Sequence, residues 1–293
     1  MIKKLKGTGV AIVTPFRKDG SLDFSAFCKL INYHIDNGIN YIVTLGTTGE
    51  SVTLSKDEKT AVINFVKETI DGRIPLVVGI GGNNTNEIIN LINKTDFEGI
   101  DAILSVSPYY NKPTQEGLYQ HYNAVAQTCP VPVILYNVPG RTGVNISAET
   151  TLKLAKNRNI CAIKEASGNI HQIIKILRDR PKNFLVISGD DALTLPMIML
   201  GGNGVISVIA NALPKIFTEM VNYALDNKCD KAIEINNQLL EMYKYLFIEG
   251  NPAGIKASLN ILKIIDNNLR LPLVPVGKDT YQKLKELISK LKK

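Results

Sequence analysis

Eight short runs rich in β-branched residues recur along the first 210 residues and constrain the fold more than any other feature. They are "GVAIVTPF" (9–16), "YIVTLG" (41–46), "IPLVVGIGG" (74–82), "AILSVSP" (102–108), "VPVILYN" (131–137), "ICAIKEA" (160–166), "FLVISGD" (184–190) and "GVISVIA" (204–210). Their near-continuous apolar character suits parallel strands covered on both faces. Amphipathic stretches lie between them. Residues 23–37 carry Phe24, Phe27, Ile31 and Ile35 at helical spacing, with Asp23 as N-cap and Gly38 as stop. "SKDE" (55–58) reads as a capping box ahead of Val62, Phe65 and Val66. Such a succession of strand–helix units predicts an α/β fold, a (β/α)8 TIM barrel. A doubly wound open sheet is the rival, but no GxGxxG opens a helix after the first strand, and eight even units favour closure.

From about residue 225 the strand signal stops. "KCDKAIEINNQLLEMYKYLF", "PAGIKASLNILKII" and "DTYQKLKELISKLKK" read as helices. The expected division is a catalytic barrel over 1–224 and a C-terminal helical appendage over 225–293. No low-complexity linker separates the two, so the appendage is expected to pack on the barrel. A chain of 293 residues, 45% hydrophobic, suffices for one large core with such an addition. No apolar run reaches membrane-spanning length, and the basic N-terminus lacks the apolar stretch of a signal peptide. A cytoplasmic protein with no membrane partner is the expectation.

The net charge of +7, from 34 basic and 27 acidic residues, is concentrated at the two ends. No RNP, zinc-finger or helix-turn-helix signature accompanies it, so nucleic acid is not expected as a partner. A basic balance does favour small anionic substrates. Cys28, Cys129, Cys161 and Cys229 form no CxxC pair and read as reduced, buried thiols. His34, His121 and His171 show no ligand spacing, and no metal site is expected. His34 reads as a packing residue beside Phe27 and Ile31.

Active sites of such barrels gather at the C-terminal ends of the strands. The polar residues there are "GTTGE" after the second strand, Tyr109 and Tyr110 after the fourth, and Tyr136 with Arg141 after the fifth. Lys164 lies on the sixth, "SGDD" ends the seventh, and "GGNGVIS" adjoins the eighth. Lys164 is the sharpest signal. Ala162, Lys164 and Ala166 share one face of their strand, and Cys161, Ile163 and Glu165 the other. The two alanines leave room for a small ligand. A structural pair between Lys164 and a carboxylate is the competing reading. A lysine attacks a carbonyl only as the free amine, the form that desolvation favours, and the resulting imine acts as an electron sink. Tyr136 and Tyr110, with a threonine hydroxyl as relay, are candidate proton carriers. Tyr109 and Tyr110 serve equally well as an aromatic contact between subunits, and Tyr136 as a core tyrosine. The Gly-flanked threonines can hold a carboxylate or merely form a turn, and this reading does not separate Thr47 from Thr48. Arg141 can clamp a second carboxylate through a bidentate contact, or be an ordinary loop arginine.

"GTTGES", "SPYYNKPTQEGLYQHY", "YNVPGRTG", "IKEASGN", "SGDD" and "GGNGVISV", six blocks in order, together resemble the dihydrodipicolinate synthase family, and the resemblance runs from about Gly7 through the barrel into the C-terminal helices. That family belongs to the N-acetylneuraminate lyase superfamily of Schiff-base aldolases. The resemblance implies condensation of pyruvate with L-aspartate 4-semialdehyde, the committed step of diaminopimelate and lysine biosynthesis, without a cofactor, in a homotetramer built as a dimer of dimers. It matches Lys164 to the imine-forming lysine, Tyr136 to the adjacent proton donor and acceptor, and Thr47 to the relay threonine. Tyr110 matches the relay tyrosine that reaches a neighbouring subunit's site. Thr48 matches the residue holding the pyruvate carboxylate. Ile206 lines the same pocket, Gly189 lies near the substrate, and Arg141 receives the semialdehyde carboxylate. Ser51, Asn83, Glu87 and Tyr109 match a lysine-effector site. Lys56 and Lys59 stand there where lysine-inhibited enterobacterial relatives have histidines. Another pyruvate-dependent aldolase, a non-catalytic pyruvate-binding module and a phosphate- or pyridoxal-phosphate-binding barrel are the alternatives.

Overall fold

The structure, a computed structural model, describes residues 2–291. Eight parallel strands close into one barrel. They are β1 (Gly7–Ala11), β2 (Tyr41–Thr44), β3 (Leu76–Gly79), β4 (Ala102–Val106), β5 (Val133–Asn137), β6 (Ile160–Glu165), β7 (Leu185–Ser188) and β8 (Gly204–Ser207). Each strand bonds to its sequence neighbours, and β8 returns to β1 with Gly7 opposite Gly204. The helices are α1 (Phe24–Asp36), α2 (Lys56–Ile70), α3 (Thr85–Lys94), α4 (Gln115–Thr128), the short α5 (Pro139–Thr142), α6 (Ala148–Leu154), α7 (Ile170–Asp179), α8 (Thr194–Met199) and α9 (Pro214–Leu225). Beyond them lie α10 (Cys229–Phe247), α11 (Ala253–Ile261) and α12 (Lys278–Leu291). The fold is therefore the predicted (β/α)8 barrel with C-terminal helices.

The caps fall where the sequence places them. The Asp23 carboxylate accepts from the Ala26 N–H. Ser55 Oγ accepts from the Glu58 N–H while Glu58 accepts from the Ser55 N–H, so both halves of the capping box form. Alternation along the strands divides the core in two. Val43, Leu104, Ile134, Tyr136, Ala162, Ile187 and Ile206 fill the barrel interior. Ile42, Val78, Ile103, Leu135, Ile163 and Val186 face outward beneath the helices. His34 packs in that outer layer with Nε2 against the Asn211 carbonyl, 3.1 Å away, and burial lowers its imidazole to about 4.

Two expectations need correction. The first strand ends at Ala11; the Ile12 N–H still donates to the Val43 carbonyl at 3.0 Å, and from Val13 onward the chain leaves the ladder. Ile12, Val13 and Phe16 are apolar because they are buried, and Phe16 pairs outside the barrel sheet, in an isolated antiparallel bridge with Leu22. On β6, Val133 pairs with Ile160 and Ile134 with Ala162, so Cys161 is an extra residue in a bulge. Cys161 therefore joins the barrel interior instead of the face of Ile163 and Glu165, and burial pushes its thiol up to about 12. Among the described residues all four cysteines are free. Cys129 and Cys161 are buried, whereas Cys28 and Cys229 are only half-buried.

Beyond α9 the chain does not stand apart. Helix α10 packs along α9, and every residue from Ala253 to Leu259 of α11 is buried. Among the described residues no helix is long and apolar enough to cross a membrane, and no group of His, Cys, Asp and Glu is placed to hold a metal.

Candidate active site

Lys164 lies one residue from the C-terminal end of β6 and points into the barrel mouth, 5% exposed. Its cross-strand partner on β5 is Tyr136, and the amine sits 4.3 Å from the centroid of that ring. The neighbouring carboxylate faces the other way. Glu165 accepts hydrogen bonds from Asn137 Nδ2 at 3.0 and 3.1 Å, from Gln172 Nε2 at 3.0 Å and from the Ser167 N–H at 2.7 Å. The most obvious carboxylate for a structural pair is thus engaged outside the barrel. Among the described residues Lys164 forms no ion pair. A buried ammonium without an anion costs free energy, which a bound carboxylate relieves.

The lysine stem lies across Gly189, which directly follows β7. A Cβ at that position would stand 3.1 Å from both Cγ and Cε of Lys164 and 2.8 Å from the Ala166 Cβ. Ile206 of β8 is buried in the same interior cluster as Tyr136 and Ala162. Lys164, Tyr136, Gly189 and Ile206 are therefore gathered at one mouth.

The threonine turn closes the end of β2. Leu45 and Glu50 adopt left-handed backbone, with φ of 56° and 52°, and Thr47–Gly49 form a single 3-10 turn between them. Strained backbone of this kind persists only where its surroundings hold it. Gly79 admits the Leu45 carbonyl to space that any Cβ would occupy. Thr14 Oγ1 donates to the Gly49 carbonyl at 2.7 Å. The two threonines separate here: Thr47 is exposed, whereas Thr48 is buried and accepts from Asn251 Nδ2 at 2.9 Å. Glu50 is fully buried against Lys256 of α11 at 2.5 Å, and its Oε2 also accepts from the Arg270 N–H. Burial lowers the Lys256 ammonium from its usual value, and the Glu50 charge offsets part of that.

Arg141 stands exposed on α5. Its loop is bolted to the strands, because Asn137 Oδ1 accepts from the Ile146 N–H at 2.9 Å and Asn137 Nδ2 donates to Asn145 at 2.8 Å. Tyr110 is not brought to the lysine within this chain. It is 88% exposed with φ of 71°, beside a partly exposed Tyr109. Asn83 Nδ2 donates to the Tyr109 carbonyl at 3.2 Å, which joins two of the expected effector residues. Glu87 and Lys56 are exposed, Ser51 and Lys59 are half-buried, and no ion pair among the described residues links them.

The model of the dihydrodipicolinate synthetase family matches residues 4–291. The chain belongs to that family. It is 52% identical over 288 residues to the 4-hydroxy-tetrahydrodipicolinate synthase of Parabacteroides distasonis, covering 98% of this chain and 97% of the relative. Its backbone is similar to the crystal structure of dihydrodipicolinate synthase from Aquifex aeolicus, with a TM-score of 0.95, 42% identity and 98% of each chain covered. The chloride-inhibited dihydrodipicolinate synthase from Acinetobacter baumannii, complexed with pyruvate, superposes with a TM-score of 0.94 and 42% identity, covering 97% of this chain and 98% of that one.

Within this dihydrodipicolinate synthetase family chain, three residues that support the mouth escaped the sequence reading: Asn251, Lys256 and Arg270. One signal was available. Lys256 is the single charged residue in the otherwise uncharged helix "AGIKASLNI", which marks a buried and therefore paired charge. Its partner, some two hundred residues upstream, carries no local mark.

Proposed function

We propose that this chain condenses pyruvate with L-aspartate 4-semialdehyde, giving (4S)-4-hydroxy-2,3,4,5-tetrahydrodipicolinate and water. The reading is carried by one observation: a buried lysine at the barrel mouth that has no carboxylate partner among the described residues and lies against a tyrosine. The Lys164 amine attacks C2 of pyruvate and loses water to form an imine. Loss of a proton from C3 gives an enamine, which adds to the aldehyde carbon. The amino group of the semialdehyde then displaces Lys164 from C2 and closes the ring, so that one water leaves in total.

Tyr136 moves the protons beside the imine, and Thr47 relays them. Thr48 and Ile206 hold pyruvate, with the Thr48 hydroxyl on its carboxylate. Arg141 receives the semialdehyde carboxylate, and its exposure suits a group that meets an incoming anion. Gly189 makes space for the lysine stem. Tyr110 completes the relay in the site of a second copy, and its exposure together with that of Thr47 supports a shared site within a homotetramer. Ser51, Asn83, Glu87 and Tyr109 form the effector region, with Lys56 and Lys59 at its edge. The enzyme acts in the cytoplasm.

The test is borohydride reduction in the presence of pyruvate, followed by peptide mass mapping and a coupled assay with the semialdehyde. The expected result is an adduct on the Lys164 peptide, no adduct in Lys164→Ala, and turnover with the semialdehyde but not with N-acetylneuraminate. An adduct on another lysine refutes the assignment. Turnover of N-acetylneuraminate alone moves the chain to another branch of the superfamily.

A further inference from the structure

The hydrogen bonding of Thr48 is one-sided. Thr48 is 3% exposed, and its hydroxyl oxygen accepts from Asn251 Nδ2 at 2.9 Å. Among the described residues no protein group accepts the hydroxyl proton. A hydroxyl has one proton to donate and two lone pairs to accept with. An amide N–H on the oxygen therefore turns the proton away from the C-terminal segment, toward whatever the mouth contains. A carboxylate is acceptor-only, so this polarity suits pyruvate and not a donor.

Asn251 is itself held in place. Glu50 lies two residues after Thr48, and Lys256 five after Asn251. Both partners of this ion pair are fully buried. Lys256 Nζ also donates to the Asn268 carbonyl at 2.9 Å and sits 4.2 Å from the Phe16 ring centroid. Removing one member of such a pair strands a buried charge, which is strongly destabilising. The turn and the segment before α11 are thus fixed against each other at two points, one ionic and one amide-to-hydroxyl.

We propose that Asn251 is a positioning residue for the first substrate: its amide N–H sets the polarity of Thr48, so that the hydroxyl proton is donated to the pyruvate carboxylate. This rests on the reading that Thr48 holds that carboxylate. Asn251 does not touch pyruvate in this scheme; it acts through Thr48. Its side-chain carbonyl oxygen is buried without a partner, so the N–H is the contact through which the amide acts.

The experiment compares full-length wild type with Thr48→Val, Asn251→Ala and Asn251→Asp in steady-state kinetics, with both substrates varied. Aspartate has the shape of asparagine, so a packing role makes Asn251→Asp milder than Asn251→Ala. The polarity role reverses that order, because a carboxylate draws in the Thr48 proton and sets a negative charge near that of pyruvate. Asn251→Asp is expected to raise the pyruvate KM about tenfold or more beyond Asn251→Ala, with the semialdehyde KM within about twofold of wild type. As the pH falls through the carboxylate range, protonation removes the charge and supplies an O–H donor to Thr48, so the pyruvate KM of Asn251→Asp should fall toward that of wild type. If Asn251→Asp does not fold, Asn251→Ala decides alone: a raised pyruvate KM with an unchanged semialdehyde KM supports the proposal, and an equal effect on both overturns it. A milder effect of Asp than of Ala, with Thr48→Val still impairing pyruvate, overturns the polarity proposal and leaves the Thr48 reading standing. A normal pyruvate KM in Thr48→Val overturns the Thr48 reading itself.

Discussion

Adding one methyl group at Gly189 tests the geometry of the lysine directly. The backbone there is not left-handed, so alanine meets no conformational penalty and the effect arises from contact alone. The new Cβ would stand 3.1 Å from Lys164 Cγ and Cε and 2.8 Å from the Ala166 Cβ, where ordinary contact begins at 3.4 Å. The shortfalls are about 0.3 and 0.6 Å. The lysine stem is the softer neighbour and takes most of the displacement. Overpacking of this size costs about 1–3 kcal/mol of stability. A misplacement of about 1 Å costs on the order of 10²-fold in rate, so a shift of half that predicts roughly a tenfold loss in kcat. The assay pairs thermal melting with single-turnover borohydride trapping of the pyruvate imine. Gly189→Ala should form the imine roughly tenfold more slowly than wild type, while the protein remains folded. Trapping at the wild-type rate, with a lowered melting temperature, would show that the mouth absorbs the methyl group elsewhere and that the lysine is not held by Gly189.

Five further outcomes follow from the site and its supports. Tyr136→Phe keeps the ring beside Lys164 and should lower kcat about 10²-fold with little change in stability; mixing inactive Tyr110→Phe with inactive Lys164→Ala should restore some activity after verified subunit exchange, and no recovery argues for a relay within one chain. Arg141→Ala should raise the semialdehyde KM roughly 10- to 100-fold and the pyruvate KM far less, whereas equal effects make Arg141 a loop support. L-lysine at sub-millimolar concentration should leave initial rates nearly unchanged, because Lys56 and Lys59 repel its net positive charge; strong inhibition there contradicts this. Glu58 is held down to about 2 by the Arg270 guanidinium, against 4.5 for a free glutamate, so its contribution to stability is complete above about 4.5 and is lost as the pH falls toward about 2. Urea melts across that range should show a slope that Glu58→Gln reduces.

The barrel was legible because its signal is repeated and local. Eight apolar runs at regular intervals carry the strand count, and the capping residues Asp23 and Ser55 mark helix starts to within a residue. Strand ends were less legible, since burial beyond the end of a strand leaves the same composition: Ile12, Val13 and Phe16 look like residues of the first strand and lie outside it. The bulge at Cys161 was hidden for a related reason, as alternation assumes an unbroken ladder. In the candidate site, Lys164 and Tyr136 could be read because each is an unusual residue at the end of an apolar run. Thr47 and Thr48 could not be told apart, because what separates them is a hydrogen bond from a residue 203 positions away. Such contacts have no local period or composition to betray them. Conversely, Tyr110 was legible as a motif, but the single chain leaves it in solvent.

The ion pair between Glu50 and Lys256 also has a consequence for the order of synthesis. The ribosome delivers all eight strands, and the turn bearing Glu50, before the helix that carries Lys256. Until that helix emerges, an otherwise strand-complete barrel holds the Glu50 side chain without its counter-charge, and the penalty for burying it keeps the turn open to water. The mouth is therefore assembled after the strands. A stalled or clipped product ending before α11 has every strand of the fold and lacks the charge that seats its threonines.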